Sequence, residues 1–279
     1  MSTARKSLGV IGLAAAAVLL QAGWALAGTA WVATDNFDSY PTGQLNGNDG
    51  WTDTGGNNYQ IVAGAGVAGT QGVNQGGGSN QMNWTGYPWD WATLAVGDKA
   101  IARMDFQANG SGAFDDDRVG WVLASGASSS SYHFAVQLDN PDGGLQTYFR
   151  NLSGSRVYQT TLIANATLGA SGSNWYREEL RVEKLTSAPG PNGAQLVVNF
   201  WALDGSGNVV PASLKTASYG PFDTSGLRGF SGTVYPMFKN YSAQPGYADN
   251  AYFQITPEPA TLALLAAGGV LALLRRRHR

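Results

Sequence analysis

Asn-Gly or Asp-Gly pairs punctuate the chain at 46–47, 49–50, 109–110, 142–143, 192–193 and 204–205. Such pairs supply the positive φ that tight hairpin turns require. Between them apolar residues recur at every second position. Ala102, Met104 and Phe106 alternate with Arg103 and Asp105. Tyr132, Phe134, Val136 and Leu138 alternate with His133, Ala135 and Gln137, and Leu196, Val198 and Phe200 with Val197, Asn199 and Trp201. In 176–184, Tyr176, Leu180 and Val182 share one face, and Arg177, Glu179, Arg181 and Glu183 form a ladder of opposite charges on the other. Runs at 118–124, 144–150, 156–163, 233–239 and 250–255 are also strand-like. Outside the two ends, no uncut segment keeps a long 3.6-residue period. Ten or more strands without βαβ alternation predict an all-β fold, an antiparallel β-sandwich. No linker of convincing length interrupts 28–256, which reads as one domain.

Composition removes several chemistries. There is no Cys, so disulfides, zinc-thiolate sites and Cys nucleophiles are excluded. Of the 2 His, His133 lies in a strand-like run and His278 in a basic tail, which leaves little for a His-based triad or metal site. Two of the 17 basic residues lie in the first 27 positions and four in the last five. The span between keeps 11 against all 19 acidic residues, a net of −8. A surface of that sign disfavours nucleic acid, whose binding is driven by Lys and Arg on phosphates.

The ends read as addresses. Residues 1–27 combine Arg5 and Lys6 with an apolar 8–20 run and the small-x-small site Ala25-Leu26-Ala27. This is the layout of a signal helix for Sec export, cleaved before Gly28. At the other end, Pro257-Glu258-Pro259 precedes an uncharged run at 260–274 and then Arg275, Arg276, Arg277, His278 and Arg279. As a helix the run spans roughly 22 Å, short of a ~30 Å hydrocarbon core. The arginines hold that end on the cytoplasmic side. The alternative reading is a permanent single-pass anchor.

The segment 257–279 resembles the C-terminal sorting signal of bacterial PEP-CTERM proteins, matched at Pro257, Glu258 and Pro259, at the hydrophobic sorting helix 260–274 and at the basic cluster 275–279. The resemblance implies a Gram-negative host and recognition by exosortase, a membrane-embedded cysteine transpeptidase. It also implies transient inner-membrane insertion through 260–274, then delivery to the outer envelope or an extracellular polysaccharide matrix. A second resemblance lies at the edges of 28–256. Asp35-Asn36-Phe37-Asp38-Ser39-Tyr40 with Gly43-Gln44-Leu45-Asn46-Gly47 and Gly50-Trp51 looks like the opening of concanavalin A-like (laminin G-like) jelly rolls. Ala248-Asp249-Asn250-Ala251-Tyr252-Phe253 looks like their closing strand. The resemblance implies that the opening and closing strands lie side by side. That family includes lectins, adhesins and glycanases, so the fold does not fix the function.

Two places suit a polysaccharide. A turn at Asn140-Pro141-Asp142-Gly143 pairs Leu138 with Leu145, Val136 with Thr147 and Phe134 with Phe149. The opposite face then carries His133, Gln137, Gln146, Tyr148 and Arg150, a polar and aromatic mixture that suits a sugar-binding face or any solvated one. The cluster Trp84-Thr85-Gly86-Tyr87-Pro88-Trp89-Asp90-Trp91 offers Trp84, Tyr87 and Trp89 for stacking on pyranose rings, or else a plug for the core. Asp115-Asp116-Asp117 reads as a solvated acidic turn rather than a calcium loop. No cofactor is expected, beyond a structural calcium that the jelly-roll resemblance permits between Asp38 and Asp249. Glu178 to Glu183 does not match the Glu-x-Asp-x-x-Glu strand of retaining glucanases, and catalysis is not expected. The reading favoured is an exported, non-enzymatic polysaccharide binder. The alternatives are a structural matrix protein without a ligand and a glycan hydrolase or lyase. In the native host, the mature protein is expected to lack Arg279 by mass spectrometry. An intact C-terminus on the envelope protein would restore the permanent anchor.

Overall fold

Along Ala194–Ala202 every second residue turns inward, and Ala194, Leu196, Val198 and Phe200 are buried while their neighbours are not. A strand with one face in a core has this two-residue period. The computed structural model describes residues 31–53, 59–75, 78–107, 118–124, 132–139, 144–164, 174–230, 232–242 and 246–256. The signal segment with Ala25 and Ala27, the turn at 115–117, and the sorting segment with Pro257, Glu258, Pro259 and 260–274 lie outside the described residues.

In chain order the strands are β1 (Trp31–Asp35), β2 (Gly43–Gln44), β3 (Trp51–Asp53), β4 (Tyr59–Val62), β5 (Gly72–Gln75) and β6 (Gly78–Trp84). They continue with β7 (Trp89–Asp90), β8 (Lys99–Gln107), β9 (Arg118–Ala124), β10 (Tyr132–Asp139), β11 (Gly144–Arg150) and β12 (Arg156–Ile163). The last are β13 (Trp175–Lys184), β14 (Ala194–Ala202), β15 (Lys215–Phe222), β16 (Thr233–Ser242) and β17 (Gly246–Thr256). A nine-stranded sheet runs β15-β14-β13-β8-β17-β5-β4-β2, with β1 on β17. An eight-stranded sheet runs β12-β11-β10-β9-β16-β6-β3, with β7 on β16. The pairs are antiparallel, as the turn spacing predicts. The first and last strands lie side by side, Trp31 opposite Ile255 through Asp35 opposite Ala251.

One core joins the two sheets. Phe106, Leu180, Leu196, Phe200 and Phe253 enter from the nine-stranded sheet, and Met82, Val136, Leu145 and Phe149 from the eight-stranded one. Phe149 reaches across to Phe222 at 4.6 Å and Tyr219 at 5.9 Å, and Trp89 to Phe253 at 5.8 Å. The turn chemistry is as the sequence predicts at 48–51. Asp49 and Gly50 both have positive φ (38° and 78°), and Trp51 N donates to Asn48 O across them. A methyl group at Gly50 would lie 2.6 Å from Gly86 Cα, so this turn also needs a bare backbone.

The structure refines one element. The charge ladder on β13 is partly covered rather than solvated. Asp105 is fully buried and Glu179 is 8% exposed, because the arginines of β8 and β13 lie over them. On the inner face, Glu178 is buried opposite Met104 and Phe200. Replacing Phe149 by Ala removes a ring shared by both sheets and is expected to cost ~3–5 kcal/mol in chemical denaturation. A loss under 1 kcal/mol would mean the two faces do not share this core.

Candidate functional site

The hairpin β10–β11 has the register that its sequence predicts. Phe134 faces Phe149, Val136 faces Thr147 and Leu138 faces Leu145. Val136, Leu145, Thr147 and Phe149 are fully buried. Ala135 stands opposite Tyr148 and Gln137 opposite Gln146, one residue out of phase with that inner row. Strand alternation therefore assigns these positions to the face away from the core. The side chains of His133, Gln137 and Tyr148 lie outside what is described. Gln146 and Arg150 are described and half-buried. Arg150 donates through Nη1 to Gly154 O, in the turn after its own strand.

The tryptophan cluster belongs to the interior, which bears out the core plug and corrects Trp84 and Trp89 as parts of a stacking wall. Trp84 is fully buried and Trp89 is 6% exposed, so neither presents a face to a sugar. Trp84 stacks on Trp51 at 4.7 Å and 9°, and its Nε1 donates to Asp49 O at 3.0 Å. Trp89 packs beside Trp91 at 6.1 Å, so the i, i+2 pair is a core plug. Tyr87 remains half-buried, edge-on to Trp84 at 4.7 Å, with its hydroxyl donating to Asp49 Oδ2. Desolvation and the Asp49 carboxylate raise the Tyr87 phenol above its ordinary value. The physical reason is that a seven-residue β6 carries Trp84 into the sheet, where its large apolar ring gains most by burial.

Asp38 and Asp249 act on the same segment, 66–71, through hydrogen bonds. Asp249 Oδ2 accepts from Val67 N and Thr70 Oγ1, both at 2.9 Å, and Oδ1 from Asn250 N. Asp38 Oδ1 accepts from Gln71 N at 2.9 Å, and Gln71 Nε2 donates to the carbonyls of Phe37, Asp38 and Tyr40. Protein donors thus tie both carboxylates to one connection. Among the described residues no group of three metal-ligating side chains forms.

The outer face of the nine-stranded sheet carries an ordered polar network that the sequence shows only as alternating charge. Arg177 holds Asp105 with two bonds of 2.5 and 2.6 Å, and Asn250 Nδ2 adds a third at 2.9 Å. Arg103 lies over the Tyr252 ring at 4.3 Å. Asp105 and Asp249 stand opposite each other on β8 and β17, and both are buried.

The chain's own C-terminus decides its route. Residues 256–278 match the PEP-CTERM protein-sorting motif. A PEP-CTERM motif marks an exported protein of Gram-negative type. No curated protein matches the chain. In fold, the chain is similar to lectin II from Ulex europaeus (TM-score 0.49, 11% identity, covering 81% of this chain and 98% of the lectin). It is similar to a protein of unknown function from Shewanella oneidensis MR-1 (0.49, 13%, 84% and 89%). It is also similar to the marine PL-14 alginate lyase from Aplysia kurodai (0.44, 10%, 74% and 89%).

Burial pushes the Asp249 carboxyl up to about 6, helped by Asp105, while its three hydrogen bonds pull the other way. A raised carboxyl pKa means that the folded chain binds more protons than the unfolded one between about pH 4 and 6. The contribution of Asp249 is therefore present below pH 4 and falls as pH rises through 6, by on the order of 3 kcal/mol. Asp249→Asn is expected to flatten the stability curve over that window in urea titrations. An identical slope in the variant would contradict the assignment.

Proposed function

We propose that the chain is an exported, non-enzymatic envelope or extracellular-matrix protein that binds polysaccharide on the outer face of β10 and β11. Export through Sec, followed by exosortase acting at the PEP-CTERM motif, brings the sandwich to the compartment where such polymers lie. The observation that carries the reading is register. Pairing Phe134 with Phe149 leaves Gln137, Gln146, Tyr148 and Arg150 out of phase with the core row, with His133 next to them where the register of β10 on β9 shifts. A tyrosine among amides and a guanidinium gives a flat ring for the C–H face of a pyranose and both donors and acceptors for its hydroxyls. The net of −8 keeps such a protein soluble in a hydrated matrix.

The test is binding of the full chain, purified in detergent, to a glycan array. Tyr148→Ala is expected to weaken binding up to about tenfold, the share of one aromatic contact. Its melting temperature is expected to stay within about 2 °C of wild type, as for surface positions generally. Wild-type binding by the variant would remove this face as the site. Binding to no glycan would favour a purely structural protein.

A further inference from the structure

The sorting motif begins where the fold stops. It matches from residue 256, and Thr256 is the last residue of β17, opposite Lys99 at the start of β8. Trp31 opens β1 opposite Ile255, so the chain from the signal segment enters beside it. Only Pro257, Glu258 and Pro259 lie between Thr256 and the uncharged run 260–274. Four residue steps span at most roughly 14 Å. The headgroup layer on one side of a bilayer takes up roughly 5–8 Å of that. With 260–274 in the membrane, this end of the sandwich is held close to the lipid surface.

Register identifies what lies at this end. Glu183 stands opposite Lys99 and Lys184 opposite Ala194, so the loops 91–98 and 185–193 close it. Loop 91–98 runs from β7 on one sheet to β8 on the other, across the end of the core. Trp91 and Leu94 are buried beneath it, while Ala92 and Ala95 are exposed and Val96 is 50% exposed. Lys184 fastens this loop, its Nζ donating to Trp91 O at 3.1 Å and to Leu94 O at 2.7 Å. Gly97 N donates to Lys184 O and Lys184 N to Asp98 O, which joins the strand end before loop 185–193 to the same loop. Loop 185–193 exposes Ala188, Pro189 and Pro191.

Neither loop exposes a charge, on a span whose net is −8. Loop 185–193 contains no ionisable residue, and Asp98 in the other is 2% exposed and accepts from Ala95 N. At the strand ends Lys99 and Glu183 pair at 3.5 Å. Asp90 and Asp223, at the border, accept from Ala92 N and Ser225 N. The opposite end of the sheet carries an exposed acid, Asp204. Anionic headgroups repel acidic surface, so an uncharged end is the one that tolerates close approach.

We infer that the end formed by loops 91–98 and 185–193 is a membrane-facing surface, resting on lipid headgroups while 260–274 holds the precursor. The placement rests on that insertion and on no polysaccharide.

The chain has no Cys, so one introduced Cys carries one fluorophore. Val96→Cys, Ala188→Cys and Ser206→Cys are labelled separately in the full chain. Each is placed in bilayer discs of phosphatidylethanolamine and phosphatidylglycerol that carry a nitroxide on the headgroup. Ser206 lies in the turn after β14, roughly 27 Å away by strand length. Quenching at 96 and 188 is expected to exceed that at 206 about twofold or more, since the headgroup layer is thin beside that distance. Ala92→Glu combined with Ala188→Glu is expected to remove about half of the quenching at 96, because like charges then push this end from the lipid. Equal quenching at 96, 188 and 206, or unchanged quenching in the doubly acidic variant, would overturn the surface while leaving insertion intact. A chain that does not enter the discs would overturn insertion of 260–274, and the surface with it.

Discussion

The pairing of Phe134 with Phe149 across β10 and β11 determines what the protein shows to its surroundings. In a sheet the side-chain period is two, so a slip of one residue would exchange the inner and outer rows completely. Fully buried Val136, Leu145, Thr147 and Phe149 forbid the slip, because it would place Gln146 and Tyr148 in the core. The apolar row and the proposed binding row are thus one constraint seen from two sides. The rings of Phe222 and Phe230, within 4.6 and 6.1 Å of Phe149, make that constraint reach the other sheet.

Buried polar groups fasten the loops to this frame. Asp35 accepts from Phe37 N, Tyr40 Oη and Trp51 Nε1, so one carboxylate joins the opening strand to the aromatic column that ends at Tyr87. Burial and the same carboxylate push the Tyr40 phenol far up, which keeps it a donor. Lys184, 3% exposed, donates to the carbonyls of Trp91 and Leu94, and burial pulls its ammonium below the usual range. Asp249 and Asp38 fasten 66–71 in the same manner. A chain without Cys holds its long connections through such satisfied polar ties, each costly to break one-sidedly.

The frame was legible in the sequence because it is local. Alternation and Asn-Gly or Asp-Gly punctuation locate β9, β11 and β12 to the residue, and the register of β10 on β11 follows from the intervening turn. The adjacency of the two ends was legible through resemblance, in β1 on β17. Burial of the tryptophans was legible only as one of two readings. Trp84 and Trp89 sit among Gly and Pro as a binding loop would, and only the long-range stack on Trp51 and contact with Phe253 place them inside. The bonds from Arg228 to the carbonyls of Arg150 and Leu152 join a loop to the end of β11 from some seventy positions away, a proximity that no local pattern encodes. The same holds for the acids, since Asp38 and Asp249 share a segment rather than each other.

The central claim is that the outer row of β10 and β11 is the binding face. Amide hydrogen exchange of the full chain, with and without a bound polysaccharide, tests it most directly. The account requires slowed exchange confined to 132–150 and the adjoining 151–156 turn, with the outer face around Arg103 and Tyr252 unchanged. Slowed exchange centred on β8, β13 and β17, with 132–150 unaffected, would contradict it.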